Sequence, residues 1–470
     1  MTKIESFEIE NPPKYPQRQL SQFYDDNDIE DDDSNNGYYN KNDINAPTEK
    51  KPKELEKKLT FLRFKGDNEF YGVVNLLASA IGSGCVTFPS LLQTAGIITS
   101  FIIFIIVSIS IYFSLDLLRN FIISTNLFSL SEITQKILGN KWLKIYAFSA
   151  VIFYLSMEIN YINLIVEYAA KGILSIEKEY KKIIFYAASC IIEIVLCLFT
   201  SKISHLHILS LITVVCFVFI VVSLVIYTFI HLKDKGIKGK FSSDKYFMPI
   251  PDNKIKYIMS ICSCFIEFVY SYSCHSSFPT ILGNLKTKEE KTKSVLKIFY
   301  ASIFIMYIII AIFGYISQIN TDEGKKTLIL FADESLQGLF NYVLQISIIV
   351  FFICLIPIRF IVIRDNYVAL LKFDVTYAID LIFISVNIIL ANVISYFCSN
   401  DANIIFSLNE MFGGVFGVVI CFVLPVITYI SINATSEKKS IFGYIMAIFY
   451  LIIGLFTAGY SFCEKILKIV

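Results

Sequence analysis

The sequence predicts an all-α membrane protein of eleven transmembrane helices, built as two five-helix repeats of opposite orientation followed by one extra helix. Three observations predict it. Apolar residues make up 55% of the 470 positions and charged residues 17%, far from the balance of a water-soluble domain. The apolar residues gather into stretches of about 20, the length that crosses a hydrocarbon layer as a helix. A short motif also recurs half a chain apart, because "TFPSLL" at 87–92 lies over "SFPTIL" at 277–282.

Residues 1–66 come first and are polar, with "YDDNDIEDDDSNNGYYNKNDINAPTEKK" at 24–51 too poor in apolar residues to bury a core. They read as a disordered cytoplasmic tail without the apolar core and cleavage site of a signal peptide. The transmembrane domain is expected over 67–463. Its apolar stretches lie at 70–92, 97–118, 144–169, 182–200, 206–231, 255–281, 295–317, 337–360, 375–398, 404–431 and 441–463. Between the second and third, "SLSEITQKILG" at 129–139 has apolar residues at helical spacing, which predicts an amphipathic helix on the membrane surface. Loop charge places the amino terminus inside, chiefly through the basic segment 51–65.

A formal charge of +1 gives no reason to expect a nucleic acid or other polyanionic partner. The 11 cysteines lie almost all in apolar runs, and none has zinc-site or disulfide spacing, so a packing role is expected and no metal. No nucleophile and base at recognisable spacing and no nucleotide-binding loop are present, which argues against an enzyme and against ATP-driven transport.

The repeated motif sits in the first and the sixth stretch. Five spans per repeat is an odd number, so the second copy, about 255–431, must be inverted in the membrane relative to the first, about 70–231. Both copies adjoin residues that do not suit an uninterrupted helix: Gly82, Ser83, Gly84 and Pro89 in "IGSGCVTFPSLLQ", and "SYSCHSSFP" at 271–279. Interrupted segments at matching positions of two inverted halves point to a secondary transporter and to its binding site. Backbone that unwinds at membrane depth is tolerated only where it lines a cavity or meets a ligand. Ile81, Gly82, Ser83 and Gly84 let the backbone approach a small molecule, and the helix restarting after them aims its amides at an anion such as a carboxylate. Around Ser273, Cys274 and His275 the opposite half-helix end offers carbonyls to an ammonium, with Ser271 just before it as a further substrate-binding candidate. A carboxylate and an ammonium a few ångströms apart describe an α-amino acid.

Four stretches together, "NLLASAIGSGCVTFP" from Asn75, "YSYSCHSSFPTILGNLK" from Tyr270, "IPIRF" at 356–360 and "FSLNEMFGGVFGVVICFVLPVITYI" from Phe406, resemble the amino acid/auxin permease family. The likeness covers 70–463 and is greatest to sodium-coupled neutral amino acid transporters and their vacuolar relatives. It implies eleven spans with a LeuT-type five-plus-five inverted repeat, a cytoplasmic amino terminus, and amino acid movement by alternating access; the expected partners are an amino acid substrate and the lipid bilayer, with the chain a monomer. Sodium-coupled members carry hydroxyl residues two turns before the Pro-Ile-Arg motif, to act with the first-span Asn. Asn75 is present, but the matching positions read Ile348, Ile349 and Val350, with Ser347 one residue out of register. Proton coupling or facilitated movement is therefore expected over strict sodium coupling, and no cofactor beyond a coupling H+ or Na+.

Ionisable side chains inside apolar spans are costly and mark candidate functional positions. Glu158, Glu193, Glu267 and Asp380 qualify. Glu267 stands just before the sixth-span break and either carries the coupled proton, pairs with a cationic substrate side chain, or is structural; Glu158 is the next candidate. His275 is the histidine at that break, for a half-helix hydrogen bond or for proton transfer. Arg359 is expected to cap the eighth span or join a gate. Phe268 and Tyr270 read as an aromatic lid, and Gly413, Gly414 and Gly417 as a small-residue packing face. A transporter-like receptor signalling through its tail and a channel remain as other readings. Plasma membrane and a vacuolar or lysosome-like membrane fit equally, as do neutral and cationic amino acids.

Overall fold

The computed structural model describes residues 69–173, 179–200, 206–235, 254–283, 289–318, 339–371, 377–398 and 412–434, with isolated positions between 445 and 459. The polar segment 1–66 and nearly all of the expected eleventh span lie outside the described residues. Within them the chain is helical, with no strand.

The first stretch is broken. Helix α1, Glu69–Ala80, stops at Ile81 and Gly82, a single turn of 3-10 helix follows over Ser83–Thr87, and α2 runs Phe88–Ala95. The bend across this break is 59°. Helix α3 is Ile97–Thr125 and α4, Leu130–Leu138, is the short amphipathic helix expected on the surface. Helix α5, Asn140–Glu167, runs into a π turn over Tyr168–Ile173. Helices α6, Glu179–Thr200, and α7, Leu206–Lys235, complete the first half.

The sixth stretch is broken in the same way, with α8, Lys254–Ser271, a turn over 272–277, and α9, Phe278–Gly283. Both second half-helices begin at a Phe-Pro pair. Proline suits the first helical turn, where its missing N–H has no partner to lose and its fixed φ is already helical. The repeated motif is therefore a restart signal in both copies. Then follow α10, Glu289–Gln318, α11, Leu339–Leu371, and α12, Tyr377–Cys398. The tenth stretch opens with π turns at Gly413–Gly417 and Val419–Val423 before α13, Leu424–Ala434. Ten of the eleven predicted stretches thus coincide with helices. Eight of these helices are singly long and apolar enough to cross a membrane, and the broken α1–α2 pair makes nine.

Burial separates the centre of the bundle from its rim. In the 18-residue apolar stretch of the Asn140–Ala170 span 83% of residues are buried and in that of Phe340–Leu371 72%, against 28% in Lys182–Phe199 and 33% in that of Ala378–Cys398. Helices α5 and α11 pack on each other at the centre, and α6 and α12 lie outside them. On α3 the exposed Ile98, Ile102, Ile105 and Ile109 fall at helical spacing and face outward, while Ile103, Phe104, Val107 and Ile111 face in. An apolar outer face fits a hydrocarbon surround; the broken α1–α2 span packs against the central pair, and α8 packs on α3, on α1–α2 at its break and on the π turn at Gly413–Gly417.

Candidate functional site

Breaking a helix orphans the carbonyls at the end of its first half. In the first span those carbonyls belong to Ser79, Ala80 and Ile81. Arg359, fully buried on α11 two residues after Pro357, answers two of them: Nη1 donates to Ser79 O, and Nη2 donates to Ile81 O at 3.1 Å. The guanidinium lies 5.7 Å over the ring of Tyr154. A permanent cation at the negative end of a half-helix dipole is a favourable arrangement, and a planar fork reaches two carbonyls where an ammonium reaches one. Arg359 does cap a helix, but that helix is α1, not its own.

The 3-10 turn is held by its own side chains and by α5. Cys85 Sγ donates to Gly82 O at 3.0 Å, and Asn160 Nδ2 donates to Ser83 Oγ at 2.6 Å. Gly82 lies under the hydroxyl of Tyr161, which would stand 2.6 Å from any Cβ placed there. Gly84 does not face open space. A Cβ on it would strike Ser271 Oγ and come 2.8 Å from the Tyr270 ring, so this glycine lets the two broken spans touch.

Thr87 and Glu267 join the breaks directly. The Thr87 hydroxyl has one proton and two acceptors, Gly84 O at 2.7 Å and Glu267 Oε2 at 3.3 Å. Glu267 is 5% exposed. In the sixth span Ser271 Oγ donates to Glu267 O at 2.7 Å, and Ser271 O accepts from Tyr307 OH at 2.6 Å. Ser273 Oγ accepts from Cys421 Sγ at 3.4 Å, and Cys274 O closes the turn by accepting from the amides of Ser277 and Phe278. An apolar cleft lies beside the first break, lined in part by Cys85, Val86, Tyr168, Ile348 and Phe351.

Ile81, Gly82, Ser83, Gly84, Ser271, Ser273 and Cys274 are brought together around the two breaks, with Glu267 beside them. Phe268 is fully buried in an interior aromatic cluster, with ring centroids 5.0 Å from Phe88 and 5.3 Å from Phe104. His275 Nε2 lies 3.1 Å from Ser114 Oγ, whose proton goes to Cys421 O. His275 is therefore the donor to Ser114 and ties the sixth-span turn to α3 and the tenth span.

The remaining ion-coupling candidates do not converge. Asn75 Nδ2 donates to His207 Nδ1 on α7 at 2.8 Å. Ser347 Oγ donates to Val343 O of its own helix at 2.7 Å, the ordinary use of a helical serine. Glu158 meets α12, where Asn387 Nδ2 donates to its Oε2 at 2.6 Å. Gly417 packs on Phe153, 2.9 Å from where its Cβ would stand, in keeping with the small-residue face expected there. Sequence reasoning missed Asn160, Tyr161, His207 and Asn387. Two of these are asparagines within apolar spans, and their polarity was the available signal.

The chain is similar to the "Putative amino acid transporter AAT1" of Plasmodium berghei (strain Anka), with 25% identity over 358 residues that cover 74% of this chain and 53% of that protein. It thus spans about half the length of this curated relative. The family model described as "Transmembrane amino acid transporter protein" matches residues 65–467, which takes in both broken spans, Arg359 and every membrane helix described above; the chain belongs to the transmembrane amino acid transporter family.

Proposed function

We propose that this protein is a secondary transporter that moves amino acids across a membrane by alternating access at the paired breaks, coupled to protons and not strictly to sodium. The observation that carries this reading is the meeting of the two interrupted spans, Gly84 on Ser271 and Thr87 on Glu267. Backbone freed from its helix lies at one place from both halves, where a zwitterion can engage amides from one and carbonyls from the other. The LeuT-type inverted repeat belongs to the same reading, supported by the two Phe-Pro restarts at matching positions.

Proton coupling is supported by the Thr87–Glu267 contact. A charged Glu267 can accept the Thr87 proton. A protonated Glu267 can donate to the Thr87 oxygen while that hydroxyl turns to Gly84 O, so both charge states have a partner. Against sodium stands the eighth span, where Ser347 bonds its own helix and Ile348 lines an apolar cleft. The close packing at Gly84 suits an occluded site better than an open pore.

The test is uptake of a labelled amino-acid panel into proteoliposomes, with sodium and proton gradients imposed separately. Uptake should persist when choline replaces sodium and accelerate under an inward proton gradient. Strict sodium dependence would overturn the coupling, and no uptake of any amino acid under either gradient would overturn the transport reading.

A further inference from the structure

The buried polar groups outside the breaks are concentrated where α5, α6 and α12 pack together. Along α12 they form rungs. Asp380 meets Arg364 at 3.6 Å, and Asn387 donates to Glu158 Oε2 at 2.6 Å. Asn392 Nδ2 donates to Glu193 Oε2 at 3.1 Å, and Ser395 O accepts from Tyr186 OH at 3.5 Å. From Asp380 to Ser395 is 15 residues, about 22 Å of helix, much of the hydrocarbon thickness. Glu158 is 1% exposed and Glu193 is fully buried.

Two ionised carboxylates so placed would be costly, since a buried charge must be paired and fully hydrogen-bonded. The two are unequally served. Glu193 takes a hydrogen bond on each oxygen, from Ser189 and from Asn392. Glu158 takes one, and its Oε1 has no partner. The Oδ1 atoms of Asn387 and Asn392 are likewise buried and without partners among the described residues. A proton on Glu158 would give that carboxyl a donor of its own, which Asn387 Oδ1 beside it can accept. Asparagine suits a site that gains and loses one, because its amide donates to a carboxylate and, turned over, accepts from a carboxylic acid.

We propose that Glu158 with Asn387 and Glu193 with Asn392 form a proton-binding centre of their own, apart from Glu267, in which a buried carboxyl holds an exchangeable proton. The groups facing it leave that proton as the charge balance. Cys190 and Cys197 of α6 and Tyr367 of α11 are neutral side chains, and Asp380 is held by Arg364, which also binds Asp365 at 3.1 Å. Lys182 stands on α6 eleven residues before Glu193, about 16 Å along the helix, and Glu167 ends α5 with Tyr168 just beyond it. The amide nitrogens turned to both carboxylates argue against a metal cation, and no metal-binding group of three acidic, histidine or cysteine side chains occurs among the described residues. Helix α5 connects this centre to the first break, since its Tyr154 and Tyr161 flank Arg359 and Gly82.

The centre is tested without a transport assay, on wild-type protein in lipid nanodiscs treated with a hydrophobic carbodiimide. That reagent modifies carboxyls only in the protonated form, and peptide mapping by mass spectrometry locates the adduct. Labelling of Glu158 or Glu193 should rise as pH falls, ignore added sodium, and persist in Glu267→Gln, which separates this proposal from the coupling role of Glu267. In pH-step infrared difference spectra Glu158→Gln should lose a carboxyl band that Asn387→Ala shifts. Absent labelling at both residues, pH-independent labelling, or protection by sodium would each overturn the proposal, and the wild-type measurement decides even if a variant fails to fold.

Discussion

Replacing Arg359 with methionine probes what holds the first break together. A buried charge is often poor value for stability, and exchanging a whole buried ion pair for apolar residues can be neutral or better. Arg359 differs because its partners are backbone carbonyls, Ser79 O and Ile81 O, which no substitution at 359 removes. Methionine fills much of the volume but leaves both carbonyls buried and bare. Each hydrogen bond to a charged group contributes about 1.5–3 kcal/mol, so the expected loss is roughly 3–6 kcal/mol. The contact over Tyr154 adds roughly 1–2 kcal/mol at a desolvated site. Arg359→Lys keeps the charge but reaches one carbonyl, so about half the loss should return. Thermal unfolding in nanodiscs should rank wild type above Lys above Met. A methionine variant as stable as wild type would refute the assignment of Arg359 to the α1 end, and equal Lys and Met variants would refute the two-carbonyl geometry.

Gly84→Ala should cost about 1–3 kcal/mol by overpacking against Ser271 and Tyr270 and lower the folded yield, with Ser271→Gly restoring part of it; normal yield and uptake would show that the spans do not touch there. Gly314 of α10 lies against the Pro89 ring, so Gly314→Val should disturb the α2 restart and reduce thermal stability by a similar amount, which an unchanged unfolding temperature would exclude. Under an imposed pH gradient Glu267→Gln should lose the acceleration of uptake while retaining substrate exchange, and an unchanged pH response would remove Glu267 from coupling. Ser347→Ala should leave uptake unchanged in sodium and in choline alike, because its hydroxyl serves only Val343 O; a sodium-specific loss would restore it as an ion ligand.

The breaks were legible because their causes are local. Glycine at 82 and 84 and the Phe-Pro pairs at 88–89 and 278–279 act through low helix propensity and fixed φ within a turn or two, and the structure interrupts the helices beside them. The surface helix at 130–138 was legible for the same reason, since its periodicity is written in nine residues. The readings of Arg359, Phe268 and Gly84 were less complete because each depends on a partner from another span. An arginine at a helix end, a phenylalanine beside a break and a glycine in one look the same in sequence whether the facing element is lipid, a ligand or another helix.

By itself the sequence determined that the chain lives in a membrane, where ten of its apolar stretches form helices, and where two of them stop and restart. Those outcomes follow from composition, segment length and the conformational limits of glycine and proline, all short-range. Only the tertiary structure decided which buried polar groups meet. Arg359 reaches carbonyls 280 and 278 residues away, and Asn387 reaches Glu158 across 229. In a medium without water every such group must find its partner inside the protein, and helix packing, which no periodicity encodes, brings those partners together.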